Sequence, residues 1–260
     1  MDKAIISRHL LTIDKCSNLH EALDLMEKKH VSRLLVTEGG KIVGILTEED
    51  IAGSLATGRN RSLKAEHFHV GGAATGELKT IEEDAPEQEA ARLMLENKFS
   101  SLPVKRNGEI IGIVTKTDLI KTLHSSAKEV RDFYTENPVT INPSVTVVHA
   151  RKLMLEKNIH RLLVTNQGLL QGILTERDIA RGLKTFRKAI DKYPQADIRR
   201  LRVEMVASFN PITIKPSDTV GKAAGIMLEK KISGLPVVAI RFGILTKTDL
   251  IRGIAEGKLP

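Results

Sequence analysis

The sequence has little of what base stacking, disulfide formation or membrane insertion requires. Only 3% of its 260 residues are aromatic and none is tryptophan, so few side chains are available to stack on exposed bases. Cys16 is the single cysteine, which excludes an intrachain disulfide and favours a reducing compartment. No apolar run approaches the roughly 18 residues of a membrane span, and the N-terminus lacks a secretory-signal pattern. These absences predict a cytoplasmic protein without membrane contact.

The charge of the chain leaves nucleic acid open as a partner. The formal net charge is +8, with 28% charged and 41% hydrophobic residues, a composition that is ordinary for a globular protein. Much of the basic excess lies in residues 184–204, a stretch that we call the basic connector. A solvated connector is the simpler interpretation, and binding of a polyanion is the alternative.

A motif that occurs four times dominates the sequence. It has the form Gly-[Ile/Val]-[Leu/Val]-Thr-x-x-Asp and occupies residues 44–50, 112–118, 172–178 and 243–249. The residues on its N-terminal side also align, without a gap in the first three copies and with two residues missing in the fourth. Internal repetition determines architecture before any single residue can be interpreted. The chain therefore contains four copies of one unit, numbered here one to four in chain order.

Each copy reads as a β-α-β-β-α unit of about 45 residues. A short β-rich start leads to a helix, which Asn18 and Glu21 begin in copy one as a capping box. Two β runs follow, joined by the hairpin signals Gly39-Gly40 in copy one and Asn107-Gly108 in copy two. The Thr-x-x-Asp of the motif then opens a second helix. Copy four lacks the glycine-containing hairpin, so we expect its local geometry to differ.

Similarities between the copies predict how they are organised. Copies one and three share Arg-Leu-Leu-Val-Thr, whereas copies two and four share Ser-x-Leu-Pro-Val. Duplication of a pair is the simplest origin of this pattern. It predicts two domains, residues 1–128 with repeats at about 5–56 and 72–124, and residues 129–260 with repeats at about 130–184 and 203–255.

The four motifs in their β-α-β-β-α context resemble those of tandem CBS-domain proteins, in which paired CBS motifs form Bateman modules. The resemblance covers nearly the whole chain and implies an α/β (α+β) fold in a disk-like arrangement. It implies a stand-alone regulatory protein that binds AMP, ADP or ATP in clefts between paired motifs and signals to a partner protein. S-adenosylmethionine as ligand and a homodimer as assembly stay open.

The resemblance also implies which residues bind the ligand. The motif aspartate of the family accepts hydrogen bonds from the ribose hydroxyls, and a threonine at a helix N-terminus is suited to phosphate or sugar oxygens. The matching residues of this chain are Thr47, Asp50, Thr115, Asp118, Thr175, Asp178, Thr246 and Asp249.

Cations for a phosphate are distributed unequally among the copies. Some relatives carry His-Arg just before the second strand, and copy three has His160-Arg161 at this place. Copy one keeps only Arg33, while copies two and four have neither residue. We therefore expect unequal sites, with those that use Arg33, His160 or Arg161 better suited to charged nucleotides.

Several interpretations compete with the nucleotide-binding one. Thr-x-x-Asp is also close to a capping box, which would stabilise the second helix without any ligand. No metal-binding, nucleotide-hydrolysing or nucleophile motif is present, so we expect no enzymatic activity, no catalytic cofactor and no metal. Two alternative functions stay open. One is a nucleic-acid regulator that uses the basic connector, and the other is a ligand-free assembly scaffold.

Overall fold

The computed structural model describes residues 3–56, 68–76, 78–192 and 197–260. Within these ranges the helices are α1 (Leu19–Lys29), α2 (Glu48–Ala56), α3 (Glu87–Glu96), α4 (Lys116–Leu119), α5 (Val147–Lys157), α6 (Glu176–Lys192), α7 (Val220–Glu229) and α8 (Lys247–Ala255). The strands are β1 (Thr12–Asp14), β2 (Arg33–Glu38), β3 (Lys41–Thr47), β4 (Ile81–Glu82), β5 (Ser101–Arg106), β6 (Glu109–Thr115), β7 (Thr135–Glu136), β8 (Thr140–Ile141), β9 (Arg161–Asn166), β10 (Leu169–Thr175), β11 (Ser208–Phe209), β12 (Gly234–Val237) and β13 (Gly243–Thr246). The fold is mixed α/β, as predicted.

The first three copies build the same small sheet. In copy one, β1 runs parallel to β2, and β2 runs antiparallel to β3. The order β4-β5-β6 in copy two and β8-β9-β10 in copy three repeats this arrangement. In copy four the initial strand is reduced to a single parallel bridge between Ile214 and Val237. The predicted β-α-β-β-α succession is therefore confirmed, with its weakest strand in the fourth copy.

The hairpins explain why copy four differs. Gly39 and Gly40 have φ values of 57° and 77°, and Asn107 and Gly108 have 51° and 84°. Positive φ at both central residues is the geometry that joins two strands through a tight turn. Copy four has no such pair, its strands β12 and β13 are four residues long, and Ile240 between them is fully exposed. The expected difference in local geometry is confirmed.

The motif glycine lies where a second chain segment passes over the sheet. The backbone of Thr75 bridges to Ile45, and a Cβ on Gly44 would lie 2.7 Å from the carbonyl oxygen of Thr75. In copy three, β11 pairs with β10, and a Cβ on Gly172 would lie 2.7 Å from the Ser208 carbonyl oxygen. A Cβ cannot approach a backbone oxygen so closely, so glycine is required by packing in these copies.

The described residues form two compact units. One unit contains residues 11–78 and 139–211, which carry copies one and three, and we call it the odd unit. The other contains residues 1–10, 79–138 and 212–260, which carry copies two and four, and we call it the even unit. The contacts therefore group alternate copies, and this grouping differs from the sequential halves 1–128 and 129–260. That the chain arose by duplication of a two-copy segment, which is the basis of those halves, stays a prediction.

Helix packing is the physical reason for this grouping. The second helices of copies one and three, α2 and α6, pack together in the odd unit, and α3 packs against α8 in the even unit. Each unit has one continuous apolar core, and the recurring methionines Met26, Met94, Met154 and Met227 lie in these cores at 0–1% exposure. Among the described helices, none combines the length and the apolar character of a membrane span.

Candidate functional site

The Thr-x-x-Asp corner has the same geometry in all four copies. In copy three, Asp178 Oδ2 accepts hydrogen bonds from the backbone N–H of Thr175 at 2.8 Å and from its Oγ1 at 2.6 Å. The Asp178 N–H donates back to Thr175 Oγ1 at 3.3 Å. The other three copies repeat this reciprocal bonding. The helix-capping interpretation is therefore confirmed, and one aspartate oxygen is used by it in every copy.

Strand register brings the predicted arginines next to the corner in the odd unit. Arg33 on β2 is the register partner of Thr47 on β3, and Arg161 on β9 is the partner of Thr175 on β10. The Arg33 guanidinium donates to Ser32 Oγ at 2.8 Å and is partly buried. In the even unit, Ser101 is the register partner of Thr115 and Gly234 is the partner of Thr246. An arginine therefore occupies this register position in the odd unit and not in the even unit, and the preference of the odd-unit sites for charged nucleotides stays a prediction.

The second oxygen of the motif aspartate is already engaged in the even unit. Asp118 Oδ1 accepts a hydrogen bond from Lys121 Nζ at 2.7 Å. Asp249 Oδ1 lies 3.2 Å from Arg252 Nη1 and 3.4 Å from Thr135 Oγ1. Both aspartates are buried, at 5% exposure. Each carboxylate thus has partners on both oxygens, and the cation comes from the residue three positions further along the chain.

The odd unit leaves this oxygen available. In copy one the position three residues after Asp50 is Gly53, which has no side chain to reach the carboxylate. In copy three it is Arg181, but its Nε donates to Glu27 at 3.1 Å. Among the described residues, no hydrogen bond is made to Oδ1 of Asp50 or of Asp178. Burial raises the pKa of both carboxyl groups, and the bonds from their threonines oppose that shift.

His160 of copy three contacts carboxylates. Its Nδ1 lies 3.0 Å from Glu176 Oε2, in hydrogen-bonding range, and 3.6 Å from Glu49 Oε2. The hydrogen bond with Glu176 raises the pKa of the imidazole above its ordinary value. Burial, followed by the charge of Glu176, raises the pKa of the Glu49 carboxyl. The sequence identified His160 but missed the two glutamates, because they come from helix positions that the motif leaves variable.

A partly buried ion pair lies beside this cluster. Arg177 Nε donates to Glu48 Oε1 at 2.6 Å, joining α6 of copy three to α2 of copy one. The Glu48 side chain is 11% exposed, and burial raises the pKa of its carboxyl despite the neighbouring Arg177 charge. Copies one and three share an acidic residue after the motif threonine, and in copy one this residue binds the other copy.

The basic connector lies only partly within the described residues. Lys184 is buried and forms ion pairs with Asp24 and Glu27. Arg199 pairs with Asp197, and Arg202 donates to the Ser144 carbonyl oxygen. These three cations are therefore engaged within the chain. The ion pairs of Lys184 and Arg199 reduce the charge that the connector can offer to a polyanion, whereas the bond from Arg202 to a neutral carbonyl leaves its charge in place.

A surface hollow of about 420 Å³ lies elsewhere in the even unit. It is formed by the start of copy two, and its lining residues are Thr80, Ile81, Glu82, Asp84, Ala85, Glu89 and Leu93. None of these is a motif residue or one of the predicted cations. The hollow thus adds no contact to the Thr-x-x-Asp corners.

Comparison with known proteins agrees with the repeat structure. The family model described as CBS domain matches residues 3–57, 70–125, 130–185 and 203–256. The four matched ranges each contain one copy of the motif and together span most of the chain.

Relatives of the chain are found in archaea. The protein MJ1225 of Methanocaldococcus jannaschii is 26% identical over 271 residues, which is 96% of either chain. Its crystal structure covers 96% of this chain and 98% of its own, with a TM-score of 0.86 at 24% identity, and shows the shared fold. The inosine-5'-monophosphate dehydrogenase of Korarchaeum cryptofilum is 27% identical over 93% of this chain, which spans only 53% of that enzyme.

Proposed function

Since the chain belongs to the CBS-domain family, we propose that it is a regulatory protein that binds an adenosine-containing molecule at Thr-x-x-Asp corners. AMP, ADP and ATP are the proposed ligands, with S-adenosylmethionine as a further one. The corner can accept ribose hydroxyls through a carboxylate that its own threonine holds in place. No catalytic role is proposed for the chain.

The single observation that carries this proposal is the oxygen that the odd unit keeps available. Oδ2 of Asp50 and Asp178 is held by the cap, so the orientation of the carboxylate is fixed before any ligand arrives. Oδ1 of each has no hydrogen bond within the described residues, and both side chains are partly accessible. A preorganised acceptor binds without a further cost of ordering the side chain.

The same reasoning predicts which copies bind. Lys121 and Arg252 neutralise Asp118 and Asp249 from within the even unit. A ribose would have to displace a charged partner from a buried carboxylate, which costs more than the hydrogen bonds return. We therefore propose that copies one and three supply the ribose-binding aspartates. Arg33 and Arg161 lie in register with their threonines and would favour ligands that carry phosphate.

Regulation would follow from a difference in affinity. A ligand shifts the balance between two arrangements of a protein only when it binds one of them more tightly. We propose that the bound adenosine compound favours one arrangement of the copies that contact it, and that a partner protein recognises this arrangement.

Isothermal titration calorimetry with AMP, ADP, ATP and S-adenosylmethionine tests the proposal. Asp50→Asn and Asp178→Asn keep an oxygen for the cap but remove the charge, and each should weaken binding at its own corner by about 10–100-fold. Asp118→Asn and Asp249→Asn are the matched controls and should change affinity by less than about threefold.

Three outcomes would overturn the proposal. Equal losses in the controls would show that the available oxygens do not determine binding. A thermal midpoint that no adenosine compound raises would favour the ligand-free scaffold, because binding to the native state must stabilise it. Nucleic-acid binding that falls steeply with salt and survives both odd-unit substitutions would favour the connector instead.

A further inference from the structure

The second helices of the paired copies meet through the two variable positions of Thr-x-x-Asp. In the even unit, Lys116 Nζ donates to Thr248 Oγ1 at 3.0 Å, and Lys247 Nζ donates to Thr117 Oγ1 at 2.7 Å. The first variable position of each copy thus contacts the second variable position of the other. Two equivalent contacts result, as a pseudo-twofold relation between copies two and four requires.

The odd unit uses the same positions with different charges. One contact is the ion pair between Glu48 and Arg177. The equivalent contact places Glu176 opposite Glu49, two carboxylates whose donor atoms lie within 4.8 Å of each other together with His160 Nδ1. Like charges at this separation repel. The two contacts that the pseudo-twofold axis relates therefore differ in charge. In one, Arg177 balances Glu48, whereas in the other two carboxylates face each other beside the imidazole of His160.

We propose that Glu49, His160 and Glu176 bind a divalent transition-metal ion of the zinc type, which joins copies one and three. Zinc with ligands at about 2.1 Å in tetrahedral geometry requires donor atoms about 3.4 Å apart. His160 Nδ1 lies 3.0 Å from Glu176 Oε2 and 3.6 Å from Glu49 Oε2. These two separations bracket the required value, and the donor oxygens of Glu49 and Glu176 lie within 4.8 Å of each other, so rotation of the two glutamate side chains would complete the site.

The donor set selects the class of ion. An imidazole nitrogen with two carboxylates suits zinc, manganese or cobalt, whereas magnesium and calcium prefer oxygen ligands alone. Three protein ligands leave a fourth position for water or another small ligand. The donors come from the first turn of α2, the first turn of α6 and the residue before β9. An ion at this place would therefore fix two helices and one strand to each other.

Positive charge from the chain at this place is limited. Arg177 is held by Glu48. Arg151 lies near enough to Glu49 to lower the pKa of its carboxyl, but burial and the charge of Glu176 act more strongly in the opposite direction. The charge of Arg161 lowers the pKa of the His160 imidazole, but the hydrogen bond with Glu176 raises this pKa more strongly. A dication would replace the imidazole proton and offset both carboxylates.

Calorimetric titration of the nucleotide-free protein with Zn²⁺ tests the proposal independently of adenosine binding. We expect one tight zinc per chain, with Mg²⁺ unable to displace it. Glu49→Gln and His160→Gln should each weaken zinc binding by at least about 10–100-fold. His149→Ala is the matched control, because it removes an exposed histidine of the same unit and should leave the affinity unchanged.

Glu49→Gln also has a readout that separates loss of a ligand from misfolding. Without metal, the substitution removes repulsion from Glu176, so its thermal midpoint should equal or exceed that of the unsubstituted protein. With saturating Zn²⁺ the order should reverse, because only the unsubstituted protein gains binding energy. A variant that is less stable in the absence of metal would overturn the assignment of Glu49 as a repelled ligand.

Cobalt distinguishes this site from the free thiol. Cys16 is exposed, so its thiol is an alternative ligand for a soft metal. Co²⁺ at the proposed site should give visible bands without thiolate-to-cobalt charge transfer. A charge-transfer band, zinc affinity that neither substitution changes, or the absence of saturable zinc uptake would each overturn the proposal.

Discussion

The side chain three residues after each motif aspartate determines what that carboxylate can bind. Lys121 and Arg252 engage Asp118 and Asp249, whereas Gly53 leaves Asp50 without such a partner. The residue at this position is visible in the sequence, and it distinguishes copies two and four, which have a cation there, from copy one, which has a glycine. It does not separate copy three, where an arginine occupies the same position but bonds elsewhere. Only packing against α1 of another copy reveals where that guanidinium goes.

Asp218 offers a residue-scale test of charge in the even unit. Its Oδ2 accepts from the Lys215 N–H at 2.8 Å, and its Oδ1 pairs with Lys222 at 2.7 Å. The bond from the Lys215 amide, followed by that from Lys222, lowers the pKa of the carboxyl. Asp218→Asn should therefore reduce the free energy of unfolding at pH 7 by about 0.5–1.5 kcal/mol.

The effect should depend on pH in one direction. A lowered folded-state pKa gives stabilisation that is complete above the unfolded value of about 3.9 and is lost as the pH falls through the folded value. The difference between Asp218→Asn and the unsubstituted protein should thus shrink below about pH 4 in urea unfolding series. A difference that stays constant down to pH 3 would assign the role of Asp218 to shape rather than charge.

Among the structural elements, the strand pairs explain the motif glycine. Sequence reasoning identified four glycines at equal positions but not what requires them. In the odd unit the reason lies in a segment that precedes the next copy, about 30–40 residues away, and long-range pairing of so short a strand leaves no periodic signal. The hairpin glycines, in contrast, act locally and were readable from the sequence.

Gly172→Ala tests this explanation. A Cβ at 2.7 Å from the Ser208 carbonyl oxygen must displace β11, so we expect the free energy of unfolding to fall by about 1–3 kcal/mol. Denaturant unfolding followed by circular dichroism measures it. Gly225→Ala in α7 is the control, since nothing lies within 4 Å of its Cβ, and it should stabilise by about 0.5–1 kcal/mol. Equal effects at both positions would contradict the close approach.

For the whole molecule, the sequence revealed four copies but not which of them share a core. The shared Arg-Leu-Leu-Val-Thr of copies one and three is visible in the sequence, yet by itself it indicates common ancestry and not a shared core. In the structure these two copies form one compact unit. Helices α2 and α6 each have an apolar face of the ordinary amphipathic kind, and no local sequence pattern predicts which helix packs against it.

Separate halves of the chain test the grouping. Residues 1–128 contain one copy from each unit, so this fragment alone exposes half of two apolar cores. We expect it to form dimers or larger assemblies in light scattering, whereas coexpression with residues 129–260 should give a one-to-one complex. A monomeric fragment that unfolds cooperatively would contradict the shared cores.

The chain order of the two units has a consequence during synthesis on the ribosome. The odd unit ends at residue 211, whereas the even unit combines residues 1–10 and 79–138 with 212–260. Residues 1–10 and copy two must therefore wait until residues 212–260 are translated before their unit can close. Copy two emerges early without its partner, and its unpaired apolar surface is then open to chaperones.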